Sequence, residues 1–177
     1  ALSESIREIT ELNERESRQK AGKYEALLLP EGGRNLLTIT ARIVRHNVDS
    51  ERFRFLGSGQ WDDPVVANES RLEGSWFASS PPRPRELFEK HFSKTFGYQP
   101  VRIASLSYDG VALAALLAET PSGPDFSKSA IRNERGFSGV NGAFRFTWDG
   151  LPERSLAVLE VRKGRFRVID RAPQGFD

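Results

Sequence analysis

Three short loops contain the side chains with the most capacity for binding chemistry, and each follows a segment predicted to be a β-strand. They are residues 30–34, 57–62 and 79–81, and all three are rich in glycine and polar groups. In a parallel sheet, ligands bind beyond the carboxyl ends of the strands, where such loops lie side by side. We therefore expect the three loops to share one edge of a sheet and to bind a ligand jointly.

Patterns that catalysis requires are scarce in the chain. Its two histidines, His46 and His91, lie in charged helical segments, where a solvent-exposed side chain is the simpler interpretation. Residues 57–59 and 136–139 lack the Gly-x-Ser-x-Gly spacing of a nucleophile elbow. The histidines do not have metal-ligand spacing, and the adjacent aspartates at 62–63 are by themselves a weak indication of a cation site. We predict a binding protein that is not an enzyme, with no cofactor and no metal site.

Composition narrows the class of partner. The 177 residues include 26 basic and 24 acidic side chains, and basic residues are dispersed among acidic ones. Nucleic acid is therefore not an expected partner, because phosphate binding requires a concentrated basic face. One basic cluster, at 162–167, is interpreted as a solvated edge strand protected by charge. The absence of cysteine excludes disulfides, thiolate metal sites and a cysteine nucleophile.

The ends of the chain also carry information. No apolar run approaches the ~20 residues of a membrane span, and residues at the start do not form a secretory signal. The sequence contains no methionine. Ala1 is therefore not expected to be a translational start, and we expect a mature or truncated piece of a longer polypeptide.

Strands and helices alternate through the first half of the chain. Hydrophobic spacing predicts helices at 2–20 and 34–46, with strands at 24–29, 53–56 and 72–78. The strand at 24–29 lacks polar alternation, which is typical of a strand covered on both faces. Asp63-Pro64 is predicted to begin a short helix. This order predicts an α/β fold with a parallel sheet, flanking helices and right-handed crossovers.

The second half is predicted to contain two longer helices and a C-terminal β-hairpin. The prolines at 81–84 indicate a stiff, extended connection. A helix is predicted at 85–96, with its core side formed by Leu87, Phe88, Phe92 and Phe96. The helix predicted at 100–118 is apolar almost all round and should be deeply buried. Further predicted elements are a helical turn at 127–132, a strand at 144–148, and strands at 156–161 and 165–170 joined by a tight turn at 163–164.

The ordered set of segments resembles the second half of a type I periplasmic binding protein, of the leucine/isoleucine/valine-binding branch. The segments that carry the resemblance are 24–33, 56–63, 72–78, 108–113 and 136–142. Two of these segments contain the motifs Gly-Gln-Trp-Asp-Asp and Gly-Ser-Trp-Phe-Ala. These motifs are most similar to alphaproteobacterial sequences labelled penicillin-binding protein activator.

Members of this family have two α/β lobes joined by three crossings. The resemblance implies that residues 1–82 form most of lobe 2, that 83–148 return to lobe 1, and that 149–177 form the C-terminal crossing and the hairpin back to lobe 2. The first half of the family pattern, with the opening strands of lobe 1, has no counterpart here. Helix 100–118 would then lack its sheet, and burial of its apolar face in a homo-oligomer is an expected consequence.

The resemblance also implies a set of ligand-binding residues, which are Glu31, Gly32, Gly33, Gln60, Trp61, Asp62, Tyr108 and Asp109. A carboxylate such as Glu31 or Asp62 could pair with a ligand ammonium, and Trp61 could cover an apolar side chain. For several of these residues a purely structural role is also open. Trp61 could cap the end of the sheet, Glu31 could be a turn residue, and Tyr108 and Asp109 could be a packed ring and a helix cap.

The function implied by the resemblance is that of a non-enzymatic, periplasmic solute-binding protein. Its ligand would be an amino acid or a similar small polar molecule bound in an inter-lobe cleft, and its partner would be the membrane permease of an ABC transporter. The alternative is a regulatory interaction module that activates a peptidoglycan synthase. A lipid anchor through an N-terminus beyond these residues is an open expectation, and a lipid-attachment cysteine there would favour the alternative function.

Overall fold

The computed structural model describes residues 25–45 and 54–176, so the predicted helix at 2–20 lies outside the described residues. The helices are α1 (Gly33–Arg45), α2 (Pro64–Ala67), α3 (Pro82–Phe96), α4 (Ala104–Ala118) and α5 (Lys128–Ile131). The strands are β1 (Ala26–Leu29), β2 (Arg54–Gly57), β3 (Trp76–Ser79), β4 (Phe137–Gly139), β5 (Gly142–Phe146), β6 (Pro152–Arg154), β7 (Ala157–Arg162) and β8 (Arg165–Asp170). The chain divides into two compact units, of which the first comprises the chain up to Ser79 with Val158–Ile169 and the second comprises Ser80–Ala157 with the C-terminal residues.

The first unit is built on a five-stranded sheet with the order β1-β2-β3-β7-β8. Strands β1, β2 and β3 pair in parallel, with Leu27 opposite Phe55 and Leu56 opposite Trp76. Helix α1 lies between β1 and β2 in the chain. Parallel neighbouring strands need such a crossover connection, which is usually a helix. The predicted α/β class with a parallel sheet is confirmed.

One apolar face of α1 supplies much of the core of the first unit. Leu36, Ile39 and Ile43 recur at helical spacing and are buried. Phe55 and Phe77 contribute fully buried rings from β2 and β3. Phe77 also makes an edge contact with the ring of Phe166, with centroids 4.8 Å apart. The sheet and α1 therefore enclose a conventional hydrophobic core.

Two expectations about the strands of this unit are wrong. The segment at 24–29 is not covered on both faces, because Leu28 is 62% exposed. The third strand begins at Trp76 rather than at residue 72. Leu72 instead closes a 3₁₀ turn in which the side chain of Glu69 accepts from the N–H of Arg71, and Gly74 at φ +78° redirects the chain before the strand begins.

The second unit contains a three-stranded antiparallel sheet, β4-β5-β6. Phe144 at its centre pairs with Phe137 on one side and Arg154 on the other. Strand β5 ends at Phe146, so the predicted continuation to Trp148 is wrong. The chain turns after Phe146, where the N–H of Thr147 bonds the carbonyl of Leu151 at 2.9 Å.

The helices of this unit differ from prediction in extent and in burial. The prolines at 81–84 are not an extended connection, because α3 begins at Pro82, where a fixed φ suits the first turn and no N–H is needed. Leu87 and Phe96 are exposed and no residue of α3 is fully buried. Helix α4 is likewise not deeply buried, since Val111 is 71% exposed. Within 25–45 and 54–176, none of the helices combines the length and the apolar character that a membrane span requires.

The hairpin of β7 and β8 is predicted correctly, and it carries an ion cluster in which a buried glutamate contacts two exposed arginines. Lys163 and Gly164 form its turn with φ values of +44° and +78°. Glu160 on β7 is buried and lies 2.9 Å from Nε of Arg162 and 2.8 Å from Nη2 of Arg167. Burial acts to raise the pKa of Glu160, but the hydrogen bonds and charges of the two arginines outweigh it and lower the pKa below its ordinary value.

This cluster predicts an acid-sensitive contribution to stability. A carboxyl group whose pKa is lower in the folded state stabilises the fold above its unfolded pKa of about 4.5, and that contribution is lost as the pH falls through the lowered folded value. We expect Glu160→Gln to reduce the free energy of unfolding near neutral pH and to flatten its decline below about pH 4.5. Urea unfolding at a series of pH values measures this. Glu153→Gln, in the exposed pair with Arg145, is the control and should leave the acid limb unchanged; a Glu160→Gln profile parallel to that of the wild type would contradict the prediction.

Candidate functional site

The carboxyl ends of β1, β2 and β3 meet at one edge of the first unit, because the three strands are parallel neighbours. The loops that leave β1 and β2 contain Glu31, Gln60 and Asp62, and β3 ends at Ser79; we call this edge the loop rim (residues 30–34, 57–62 and Ser79). Hydrogen bonds join each loop to the next. Within the first unit, the first two loops and the end of β3 therefore lie side by side, as expected.

Trp61 ties the first loop to the second. Its indole N–H donates to the carbonyl oxygens of Leu29 at 3.1 Å and Glu31 at 2.9 Å. Its ring is 0% exposed and lies near Phe77, with ring centroids 6.1 Å apart. A side chain with no exposed surface offers no face to a ligand in this arrangement. The structure gives Trp61 the other role left open by the sequence, that of a cap on the end of the sheet.

Asp62 and Ser79 tie the second loop to the third. The hydroxyl of Ser79 donates to Oδ2 of Asp62 at 3.0 Å. Ser79 is buried, whereas Asp62 remains half-buried at the rim. A buried hydroxyl bonded to a carboxylate fixes the position of both loops, because an unpaired polar group in that place would be costly. Asp62 is thus held in place at the edge of the sheet.

Glycine is required where the first two loops approach each other. A Cβ added to Gly32 would lie 2.8 Å from both the Cβ and the carbonyl oxygen of Gln60. Gly33 begins α1 at φ +52°, a conformation that other residues adopt at a cost. These two glycines therefore shape the rim through the backbone and present no side chain of their own. The sequence-predicted pair Gly32 and Gly33 lies at the rim for this reason.

The accessible polar groups of the rim are few. Glu31 is half-buried, and its Oε2 accepts a hydrogen bond of 3.4 Å from Nδ2 of Asn35 on the first turn of α1. Gln60 is exposed at the tip of the second loop. Together with Asp62 these side chains supply two carboxylates and an amide along one edge, a donor and acceptor set suited to a small polar ligand with a positively charged group.

Ser58 is a rim residue that the sequence did not single out. Its Oγ donates to the carbonyl of Pro30 at 3.5 Å and accepts from the N–H of Gln60 at 3.4 Å. Serine directly before the 3₁₀ turn at Gly59–Trp61 is the typical N-cap signal, so the sequence did contain a clue. The glycines on both sides of Ser58 are typical of a plain turn, so the N-cap signal was not recognised.

Tyr108 and Asp109 lie in the second unit and have structural roles there. Asp109 is buried in the middle of α4, where Oδ1 accepts from the N–H of Val140 at 2.7 Å and Oδ2 lies 3.4 Å from Nη1 of Arg154. The half-exposed ring of Tyr108 packs on Phe88 with centroids 5.2 Å apart. Asp109 is not the cap of α4, which begins at Ala104, but it fastens the helix to the turn between β4 and β5.

The adjacent aspartates Asp62 and Asp63 make separate contacts. In the part of the chain that the structure describes, no three or more His, Asp or Glu side chains are placed to hold a metal ion together. Asp62 bonds Ser79, and Asp63 instead caps α2 by accepting from the N–H of Val65 at 2.8 Å. The two adjacent aspartates thus have separate structural partners.

Comparisons with known proteins identify the fold. No family model matches the sequence, and no curated protein matches it significantly. A Rhodospirillum rubrum structure, described as a branched-chain amino acid ABC transporter, matches with a TM-score of 0.72 and 21% identity, over 93% of this chain and 48% of that one. The isoleucine complex of LivJ from Streptococcus pneumoniae matches with a TM-score of 0.55 and 17% identity, over 93% of this chain and 49% of that one.

A third structure comes from a different functional class. The C-domain of LpoA from Haemophilus influenzae, a regulator of PBP1A, matches with a TM-score of 0.57 and 13% identity, over 93% of this chain and 49% of that one. At these identities the similarity concerns the fold. The chain has the type I periplasmic binding fold seen in leucine- and branched-chain amino acid-binding proteins and in the LpoA C-domain, and it spans about half of the length of the structures that it matches.

Proposed function

We propose that this chain is part of a non-enzymatic, extracytoplasmic solute-binding protein, and that the loop rim supplies some of the contacts to an amino acid or a similar small polar ligand. The observation that carries the proposal is the linkage of three strand-end loops by Trp61 and by the hydrogen bond between Ser79 and Asp62. Such linkage fixes polar groups before a ligand arrives, which reduces the entropy lost on binding.

Charge at the rim supports a ligand with an ammonium group. Glu31 and Asp62 are carboxylates at the ends of adjacent strands, and Gln60 adds an amide beside them. A carboxylate that pairs with an ammonium forms a short, charge-assisted hydrogen bond. Binding partners for the ligand's own carboxylate would come from polypeptide outside these residues. Delivery to the membrane permease of an ABC transporter is the function that fits this arrangement.

Substitution of Glu31 tests the proposal directly. Glu31→Gln keeps the size of the side chain and its contact with Asn35 while removing the charge. In the complete protein we expect affinity for an amino acid to fall at least about tenfold, equivalent to about 1.4 kcal/mol. Isothermal calorimetry with a panel of amino acids measures this, after thermal shift has identified a ligand.

Glu25→Gln is the matched control for that experiment. Glu25 is an exposed glutamate just before β1, whereas Glu31 lies just after it, so only the latter is at the rim. Affinity should be unchanged in the control. If no amino acid binds the complete protein, or if both variants bind like the wild type, the proposed ligand class is wrong.

A second function is favoured by the likeness to the LpoA C-domain. In this alternative the chain is a regulatory interaction module that activates a peptidoglycan synthase and binds no transported solute. A pull-down from envelope extract that enriches a synthase, together with a thermal-shift panel without response, would support the alternative. Recovery of a permease instead would support solute delivery.

A further inference from the structure

Strand β8 forms one edge of the sheet of the first unit, as the last strand in the order β1-β2-β3-β7-β8. It spans Arg165–Asp170, and at six residues β7 and β8 are the longest strands that the structure describes. An edge strand presents backbone N–H and C=O groups that no neighbouring strand satisfies, so another extended segment can pair with them. Among the described residues, no further strand lies beside β8.

The turn of the hairpin determines which backbone groups of β8 point outward. Residues 163–164 both have positive φ and form a two-residue turn, so Arg162 and Arg165 face each other as a hydrogen-bonded pair. Backbone groups of successive residues in an antiparallel strand alternate between its two edges. The backbone groups that point away from β7 are therefore those of Phe166, Val168 and Asp170.

The two faces of β8 differ in chemistry, because successive side chains of a strand point to opposite faces. Phe166 is on the core side, where its ring contacts that of Phe77. Arg167, the next residue, faces the other way and lies 2.8 Å from the carboxylate of Glu160. The face that Arg167 occupies also contains Arg165 and Ile169.

Positive charge is concentrated along this edge. Residues 162–171 contain five basic side chains and one acidic side chain, whereas the whole chain contains 26 basic and 24 acidic ones. The remainder of the chain is thus net negative. Glu160 pairs with Arg162 and Arg167, but the side chain of Arg167 is still 60% exposed. Arg165 is exposed and forms no ion pair with a residue that the structure describes.

Protection against self-association explains only part of this edge. Like charges on two copies of β8 repel each other, which disfavours pairing with a second copy. However, Val168 and Ile169 are 40% and 37% exposed, and β-branched residues favour pairing. The strand also contains no proline, which would block an added strand. An edge that is charged but open to pairing selects its partner by charge.

We propose that the outer edge of β8 binds an acidic, extended segment of another protein, which adds to the sheet as a further strand. The segment alternates acidic with apolar residues, so that its acidic side chains lie beside Arg165 and Arg167 and its apolar side chains lie beside Val168. Main-chain hydrogen bonds supply affinity in this mode of recognition, and the side chains supply specificity. The proposal does not depend on whether a solute binds the loop rim.

Peptide binding to the complete protein tests this proposal. The probe is a peptide of about eight residues, within the usual length of a strand, that alternates Glu and Val. The matched control alternates Lys and Val. Measured by fluorescence anisotropy, the Lys peptide should bind at least about tenfold more weakly, because like charges across an interface are costly. Affinity for the Glu peptide should fall as the salt concentration rises.

Hydrogen exchange distinguishes strand addition from simple attraction between charges. Binding of the Glu peptide should slow amide exchange at the outward positions Phe166, Val168 and Asp170 at least about tenfold, because hydrogen-bonded amides are protected. The amides of Arg167 and Ile169 face β7 and should change little. This readout uses the unmodified protein, so it does not depend on how any variant folds.

Substitution of Arg165 tests the charge. We expect Arg165→Glu to weaken binding of the Glu peptide at least about tenfold and Arg165→Lys to retain most of it. Arg42→Glu makes the same change of charge at an exposed position on α1 and should leave binding unchanged.

The remaining outcomes would overturn the proposal. Absence of binding, or equal binding of the two peptides, would show that the edge does not select an acidic strand. Binding without protection of the outward amides would show adsorption by charge alone. Protection that rises with the concentration of the protein itself would show a second copy at the edge. Protection by anionic phospholipid vesicles but not by the Glu peptide would show a membrane surface instead.

Discussion

Trp61→Ala is expected to lower the free energy of unfolding by about 3 to 5 kcal/mol, the range for removing a large buried aromatic side chain. The ring is fully buried, so its removal leaves a cavity at the end of the sheet. The carbonyls of Leu29 and Glu31 lose their indole donor at the same time. Urea unfolding followed by far-UV circular dichroism measures the change.

Two other tryptophan variants show which part of the effect belongs to Trp61. Trp148 is 83% exposed, so Trp148→Ala should change the free energy of unfolding by no more than about 0.5 kcal/mol. Trp61→Phe keeps a ring but removes the N–H donor, and we expect an intermediate loss that includes about 1 kcal/mol for the hydrogen bonds. If Trp61→Ala unfolds at the same urea concentration as Trp148→Ala, Trp61 does not tie the two loops together.

Trp61 also matters for the proposed function. The indole N–H of Trp61 bonds the backbone carbonyl of Glu31 and so helps to fix the position of Glu31. This matters if the side chain of Glu31 contacts a ligand. Trp61→Phe should then weaken binding in the complete protein without removing any group that touches the ligand. This separates a positioning role from a contact role, because Glu31→Gln should weaken binding with little loss of stability.

Gly57→Ala is expected to destabilise the first unit by about 3 kcal/mol, the upper end for overpacking a core. A Cβ at this position would lie 2.2 Å from the ring of Trp61. The ring cannot retreat without breaking its hydrogen bonds to Leu29 and Glu31, because the N–H group is fixed between them. The same unfolding experiment measures the loss.

Gly110→Ala is the matched control for that variant. Gly110 lies in α4, where an added Cβ would meet nothing within 4 Å beyond its chain neighbours and the backbone of its own helix, and alanine favours a helix by about 1 kcal/mol over glycine. Stability should therefore be unchanged or higher. In the background of Trp61→Ala, Gly57→Ala should cost at least about 1 kcal/mol less than in the wild type, because the clashing ring is gone. Strict additivity of the two substitutions would contradict the proposed contact.

Local signals in the sequence were sufficient for much of the first unit. The spacing of Leu36, Ile39 and Ile43 predicts α1, and Asp63-Pro64 predicts the start of α2. The turn at Lys163–Gly164 was likewise visible, since two residues with positive φ are needed there and glycine supplies one. Each of these features depends on neighbours within a few positions in the chain, so a local pattern determines it.

Trp61 shows what local patterns leave open. Its position after β2 was predicted, but the sequence allowed either a ligand contact or a cap. The choice depends on carbonyls some 30 positions away, at Leu29 and Glu31. Long-range contacts of this kind have no local signature. The same holds for Asp62, whose partner Ser79 belongs to another strand.

Helix α4 separates the two kinds of information most clearly. The sequence determined that Ala104–Ala118 is an apolar helix, because alanine and leucine favour that conformation wherever it is packed. Only the tertiary structure decided which side faces inward. Asp109 and Ser105 find hydrogen-bond partners on the β4–β5 turn, and a buried carboxylate must be bonded, so the polar stripe turns inward and leaves Val111 and Leu116 outside.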